Sequence, residues 1–73
     1  MTATQIRNNI RRLRFDANEM TQAELAEKIG VTRQTLLAIE AAKYSPTLEL
    51  AFRIAKVFGV PLDAVFQYDP PSP

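Results

Sequence analysis

Apolar side chains recur every three or four residues along most of the chain, which is the spacing of a helix face. Five segments have this pattern, and the polar or proline-containing stretches between them predict loops. The predicted helices cover, in chain order, about residues 4–16, 22–29, 33–41, 47–58 and 61–66. The fourth is apolar on most of its circumference, so we expect it to form much of the core.

The second and third predicted helices are separated by a tight turn. Thr21 and Glu24 form a capping box at the start of the second helix. Gly30 follows its last turn, where a left-handed backbone conformation ends a helix without a Cβ penalty. Thr32 can cap the third helix, and Ala26 is small where the two helices must cross. The pattern therefore predicts a helix-turn-helix unit. Its inward positions are Leu25, Ile29, Val31, Leu36 and Ile39, and its outward positions are Arg33, Gln34, Leu37 and Ala38.

The length of 73 residues suits one small domain. Such a domain buries only roughly 60% of its unfolded surface, so a second copy of the chain would help to complete a thin core. We expect residues 1–68 to form the domain and residues 69–73, DPPSP, to form a disordered tail. Ile6 and the segment Phe66–Tyr68 could pair as a short terminal β-ribbon on an otherwise all-α fold.

The residue types exclude most catalytic chemistry. The chain has neither cysteine nor histidine, so disulfides, thiolate metal sites and the usual pairs of nucleophile and base cannot form. We therefore expect no enzyme activity, no cofactor and no metal. The first residues lack the apolar stretch of a signal peptide, and no segment has the length of a membrane span. These observations favour a cytoplasmic protein.

Positive charge is concentrated near the start of the chain. The net charge is only +1, but Arg7, Arg11, Arg12 and Arg14 lie on the first predicted helix. Such a cluster is either a solvated helix face or a footprint for phosphate groups. Because the cluster lies beside a helix-turn-helix unit, we favour the interpretation as a footprint for phosphate groups.

Residues 10–66 resemble the helix-turn-helix domain of the Cro/cI-type (Xre-like) transcriptional regulators. The resemblance rests on MTQAELAEKIGVTRQT across the two crossing helices, the pair Ile39-Glu40, Pro46 in the next loop, and LELAFRIAKVFGVPLDAVF. It is strongest with the small, stand-alone members of that family. It implies a five-helix, lambda-repressor-like DNA-binding domain.

The resemblance implies that the third helix enters the major groove of DNA while the second crosses the backbone. Arg33 and Gln34 would read bases, because arginine pairs with guanine and glutamine with adenine. Gln22 would hold a phosphate at the amino end of the second helix. The full set of implied DNA contacts is Gln22, Thr32, Arg33, Gln34, Thr35, Leu37, Ala38, Lys43 and Tyr44.

The resemblance also implies a role and an assembly. Arg14 and Glu40 match positions that often form a salt bridge between the first and third helices. A homodimer would place its two third helices in successive major grooves of a pseudo-palindromic operator, where binding would repress transcription. Part of the apolar surface of the fourth and fifth helices would serve as the dimer contact.

The sequence departs from the family at two places. Leu37 stands where members often carry a polar residue, and Ala41-Ala42 stands where the loop often contains glycine. Two other functions remain open. The chain could be an antitoxin or another protein-binding module of the same fold. It could also be a small-molecule sensor or an enzyme, although the absence of histidine and cysteine argues against that function.

Overall fold

Five short helices and a two-stranded ribbon make up residues 5–43 and 45–68, the part of the chain that this computed structural model describes. The elements, in chain order, are β1 (Ile6–Asn8), α1 (Ile10–Asp16), α2 (Gln22–Ile29), α3 (Arg33–Glu40), α4 (Leu48–Phe58), α5 (Leu62–Val65) and β2 (Phe66–Tyr68). The predicted all-α, five-helix fold is confirmed. The predicted tail, residues 69–73, lies outside the described residues.

The prediction that the first helix begins at residue 4 was wrong, because α1 begins at Ile10. Residues 6–8 form β1 instead and pair antiparallel with β2, with Ile6 opposite Tyr68 and Asn8 opposite Phe66. The ribbon considered as an alternative is therefore confirmed. Strand pairing satisfies backbone groups near both ends of the described chain, and this long-range gain outweighs the helical spacing of Ile6 and Ile10.

Threonine caps begin three of the helices. Thr21, Thr32 and Thr47 precede α2, α3 and α4, and each hydroxyl accepts a hydrogen bond of 3.0–3.2 Å from the backbone N–H three residues later. The carboxylate of Glu24 accepts a 3.0 Å bond from the backbone N–H of Thr21, which completes the predicted capping box. Gly30 ends α2 in the left-handed conformation, with φ of 77°. The local signals in the sequence thus set the helix boundaries.

The core lies where α2 crosses α3 and where α2 and α5 pack against α4. Its buried members come from α1 to α5 and are Ile10, Leu25, Ala26, Ile29, Leu36, Ile39, Ile54, Ala55 and Val65. Four of the inward positions predicted for the helix-turn-helix unit are therefore buried, and Val31 is half-buried. The predicted fifth helix is shorter than expected, since Pro61 precedes it as the N-cap and Phe66 begins β2.

The loop after α3 turns without a glycine. The helix ends at Glu40, and Ala42 adopts a left-handed conformation with φ of 58°. The backbone N–H of Lys43 donates a 3.0 Å bond to the carbonyl of Ala38, which satisfies the end of the helix. An alanine in this conformation costs about 1 kcal/mol more than a glycine, so Ala42 carries strain that the family's usual glycine avoids.

Within residues 5–43 and 45–68, each helix is too short or too polar to cross a lipid bilayer.

Candidate functional site

The outward side of α3 presents polar side chains around one leucine. Arg33 and Gln34 are exposed at the amino end of the helix, and Leu37 is 36% exposed one turn later. Leu36 and Ile39 are buried on the opposite side, and this packing fixes which residues of α3 face outward. We call Arg33, Gln34 and Leu37 the α3 face.

A nearly buried ion pair supports the α3 face from behind. Arg14 on α1 donates to both carboxylate oxygens of Glu40, from Nε to Oε2 at 2.8 Å and from Nη2 to Oε1 at 3.0 Å. Its Nη1 donates to the carbonyl of Met20 at 2.9 Å. The two side chains are only 13% and 10% exposed, so solvent screens the pair weakly. The predicted salt bridge between Arg14 and Glu40 is confirmed, and it fixes the last residue of α3 to α1.

Gln22 connects this ion pair to the α3 face. Its Nε2 donates to Oε1 of Glu40 at 3.4 Å, and its Oε1 accepts from Nη2 of Arg33 at 3.3 Å. Both hydrogen bonds are long, and Arg33 is exposed. Gln22 and Arg33 therefore lie side by side but remain free to turn toward a ligand.

A groove of about 720 Å³ runs between α1, α2 and α3. Its lining residues are Arg11, Arg14, Thr21, Gln22, Ala23, Arg33, Leu37, Glu40 and Ala41. Three arginines and one glutamate are in this set, and the ion pair of Arg14 with Glu40 cancels two of the charges. The groove thus keeps a net charge of +2, from Arg11 and Arg33, and is suited to a polyanion.

The remaining residues of the predicted site lie around α3. Thr32 is exposed and caps the helix, as the sequence predicted, and Thr35 and Ala38 are half-buried. Lys43 is exposed in the loop beyond the carboxyl end. Tyr44, also predicted as a contact, lies outside the described residues.

One residue that positions α3 was missed by the sequence analysis. Nδ2 of Asn8, on β1, donates to the backbone carbonyls of Ile39 and Glu40 at 3.0 and 3.3 Å. Its Oδ1 accepts a 3.1 Å bond from the backbone N–H of Ile10. An asparagine before a helix is a recognisable cap signal, but nothing local in the sequence indicates its contact with residues 39 and 40.

A second, apolar surface involves α4, α5 and the ribbon. Leu48 and Phe52, one turn apart on α4, are 68% and 54% exposed. Beside them lies a groove of about 240 Å³, lined by uncharged side chains: Ile6, Pro46, Leu48, Ala51, Leu62 and Phe66. We call Leu48, Phe52 and this groove the apolar face.

Metal-binding geometry is not present in the described part of the chain, where no three Asp or Glu residues lie close enough to hold an ion.

Comparisons with known proteins agree with this geometry. The sequence profile of the helix-turn-helix family matches residues 10–65. An HTH-type transcriptional regulator of Methanocaldococcus jannaschii is 54% identical over 52 residues, which are 71% of this chain and 79% of that protein. The transcriptional repressor RstR of the cryptic phage CTXphi in Vibrio cholerae is 42% identical over 55 residues, 75% of this chain and 49% of the repressor. A crystal structure of a candidate DNA-binding protein from Bacteroides fragilis shares the fold, with a TM-score of 0.74 at 21% identity, and the match covers 85% of this chain and 98% of that one.

The matched region coincides with the helical part of the domain. Residues 10–65 run from the first residue of α1 to the last residue of α5. The same segment holds the caps, the turn at Gly30 and the buried residues that cross α3 over α2. The resemblance recognised from the sequence is therefore confirmed. The chain belongs to the helix-turn-helix family of the Cro/cI (Xre-like) type, whose members are DNA-binding transcriptional regulators.

Proposed function

We propose that this protein is a sequence-specific repressor that binds a pseudo-palindromic operator as a homodimer. The observation that carries the proposal is the α3 face, an exposed helix surface with Arg33 and Gln34 at its amino end and Gln22 of α2 beside it. An α-helix fits the major groove of B-DNA, and the amino end of such a helix is the part that contacts bases in helix-turn-helix proteins. The match to the phage repressor RstR supports this role. We propose that the protein acts in the cytoplasm, where operator DNA is accessible.

Direct reading of bases is assigned to the α3 face. Arg33 would donate two hydrogen bonds to O6 and N7 of a guanine, and Gln34 would pair with N6 and N7 of an adenine. Leu37 would contact a thymine methyl group, since it is the apolar member of the same surface. Thr35 and Ala38, half-buried, would make smaller contacts at the edge, and Thr32 would act as a cap first and a contact second.

Phosphate contacts would flank these bases. The side-chain amide of Gln22 has two N–H groups, and only one is used by Glu40, so the other can donate to a phosphate oxygen. The amino end of α2 adds the positive end of its dipole at the same place. Lys43 and Tyr44 would hold the backbone beyond the carboxyl end of α3.

The homodimer is supported by the apolar face. Leu48 and Phe52 protrude beside a groove of uncharged residues, so one surface carries both a ridge and a hollow. A two-fold interface needs such self-complementarity, because each residue of one copy meets the partner position on the other. The two grooves share no lining residue, so a second copy on the apolar face leaves the α3 face open. The two α3 helices would then lie about 34 to 36 Å apart on the operator.

The test begins with selection of an operator from random duplex DNA by the purified protein, read out by sequencing. Arg33→Ala should then weaken binding to the selected operator by about 1 to 3 kcal/mol and relax the preference at one base pair. Lys43→Ala is the matched control, since it should weaken binding to all sequences alike and lower the salt slope by about one unit. Unchanged operator binding by Arg33→Ala would refute the assignment of the base reader.

A further inference from the structure

The four arginines near the start of the chain differ in what surrounds them. Arg14 is engaged by Glu40 and Met20 and is nearly buried. Arg12 lies 3.8 Å from Asp16, one turn away on the exposed side of α1. Arg7 lies on β1, away from the helix predicted for it. Arg11 is exposed and has no ion-pair or hydrogen-bond partner among residues 5–43 and 45–68.

Arg11 is the member of this cluster that combines an unpaired charge with a place on the groove beside the α3 face. It lines the groove from the side of α1, opposite Arg33 and Leu37 of α3, with Gln22 of α2 also in the lining. Arg12 is not part of that lining. Two neighbouring arginines of the same helix thus have the same charge but different access to a ligand in the groove.

Glu40 does not oppose an anion in this groove. Its two carboxylate oxygens accept hydrogen bonds from Arg14, and one accepts a further bond from Gln22. Because the negative charge is neutralised within the protein, the guanidinium of Arg11 faces no competing carboxylate among the lining residues.

We propose that Arg11 binds a backbone phosphate of the DNA, so that α1 forms a third part of the interface beside α2 and α3. The proposal rests on the proposed function, since it adds a phosphate contact to the same DNA-binding surface. A guanidinium matches two phosphate oxygens with two parallel N–H groups. The phosphate strand that passes the amino end of α2 at Gln22 would lie within the groove that Arg11 lines, so Arg11 fixes the domain on the backbone without reading a base.

Arg11→Ala and Arg12→Ala form a matched pair for the test, because each removes one positive charge from an exposed position of α1. Binding is measured by fluorescence anisotropy on a random-sequence duplex of about 21 base pairs, two helical turns, over a series of salt concentrations. Arg11→Ala should weaken binding about tenfold, the size expected when a charge-assisted hydrogen bond is lost. It should also lower the slope of log K against log salt by about 0.9 per subunit bound. Arg12→Ala should change the affinity and the salt slope by only a small fraction of the changes expected for Arg11→Ala.

Arg11→Lys gives a second measurement. It keeps the charge and loses the paired geometry, so the salt slope should stay near that of the unchanged protein while the affinity falls only in part. Equal losses for Arg11→Ala and Arg12→Ala, or no loss for Arg11→Ala, would overturn the proposal. Either result leaves the proposed function standing if the unchanged protein binds DNA. An unchanged protein that binds no duplex at low salt would refute the proposed function itself, and this proposal with it.

Discussion

The α3 face and the apolar face lie on one small domain and expose opposite chemistry. The α3 face consists of side chains that water solvates well, apart from Leu37, and a hydrogen-bonded ion pair holds its helix in place. On the apolar face, Leu48 and Phe52 each expose more than half of their surface, and the groove beside them is lined by no charged residue. Polar side chains persist in water without a partner, whereas large neighbouring apolar ones favour a protein partner.

This difference suggests an order of assembly. In the proposed dimer, the apolar face would gain free energy when it meets a second copy, and that gain would not depend on DNA. The α3 face would gain binding free energy mainly when DNA phosphates and base edges replace the water on its surface. We therefore expect the dimer to form first and to present two α3 faces to the operator together.

Arg14→Ala should remove the support behind the α3 face. The variant leaves Glu40 nearly buried without its cation and the carbonyl of Met20 without its donor, so the free energy of unfolding should fall by about 3 kcal/mol. Arg12→Ala is the control on the same helix, since its exposed pair with Asp16 should contribute about 0 to 1 kcal/mol. Urea unfolding followed by circular dichroism measures both. Equal, small losses would show that the ion pair does not stabilise α3.

Phe52→Glu should separate the dimer. A charge placed on the apolar face must be desolvated in the interface, so dimerisation should weaken by about 2 kcal/mol or more. Phe15→Glu is the control, because Phe15 on α1 is 68% exposed but lies outside the apolar face. Light scattering at micromolar protein should give a monomer for the first variant and a dimer for the second. If the unchanged protein is a monomer both with and without DNA, the proposed dimer is refuted. A stable complex with a different protein would favour the antitoxin function.

Leu37 should make the α3 face sensitive to a single methyl group. Replacing the thymines of the selected operator one at a time by deoxyuridine removes only the C5 methyl group. At the thymine that Leu37 contacts, this replacement should weaken binding by about 1 kcal/mol. Leu37→Ala should bind the thymine and deoxyuridine forms of that position equally. If no thymine position distinguishes the unchanged protein from Leu37→Ala, Leu37 does not contact a methyl group.

The capping box at the start of α2 should give a small, pH-dependent effect. The hydrogen bond from the backbone N–H of Thr21, with one from its side chain, lowers the pKa of Glu24 below the usual 4.5. The stabilisation is therefore complete above about pH 4.5 and is lost as the pH falls through the lower pKa of the folded state. The difference in unfolding free energy between the unchanged protein and Glu24→Gln should be constant near neutral pH and shrink in acid. A difference that stays constant through the acid range would contradict the role of the cap.

The sequence predicted best the features that local residues determine. Thr21 and Gly30 mark the ends of α2 by their own chemistry, and the predicted boundaries of that helix are correct. The start of α1 was misplaced because Ile6 fits a helix face as well as a strand, and only its distant partner Tyr68 decides between them. The path from Glu40 through Gln22 to Arg33, and the separate surroundings of Arg11 and Arg12, depend on three helices meeting in space. Single-sequence periodicity carries no such information.

The ribbon has a consequence for the time course of folding. Asn8 on β1 holds the carboxyl end of α3, and β1 pairs with β2 near the other end of the described chain. Contacts between residues so far apart in sequence close the largest loop in the domain and tend to form late, whereas the contact of α2 with α3 is local and forms early. We therefore expect α3 to assemble early in folding and its carboxyl end to be anchored late. Amide protons at that end should exchange with solvent sooner than the amide proton of Leu36 at its centre.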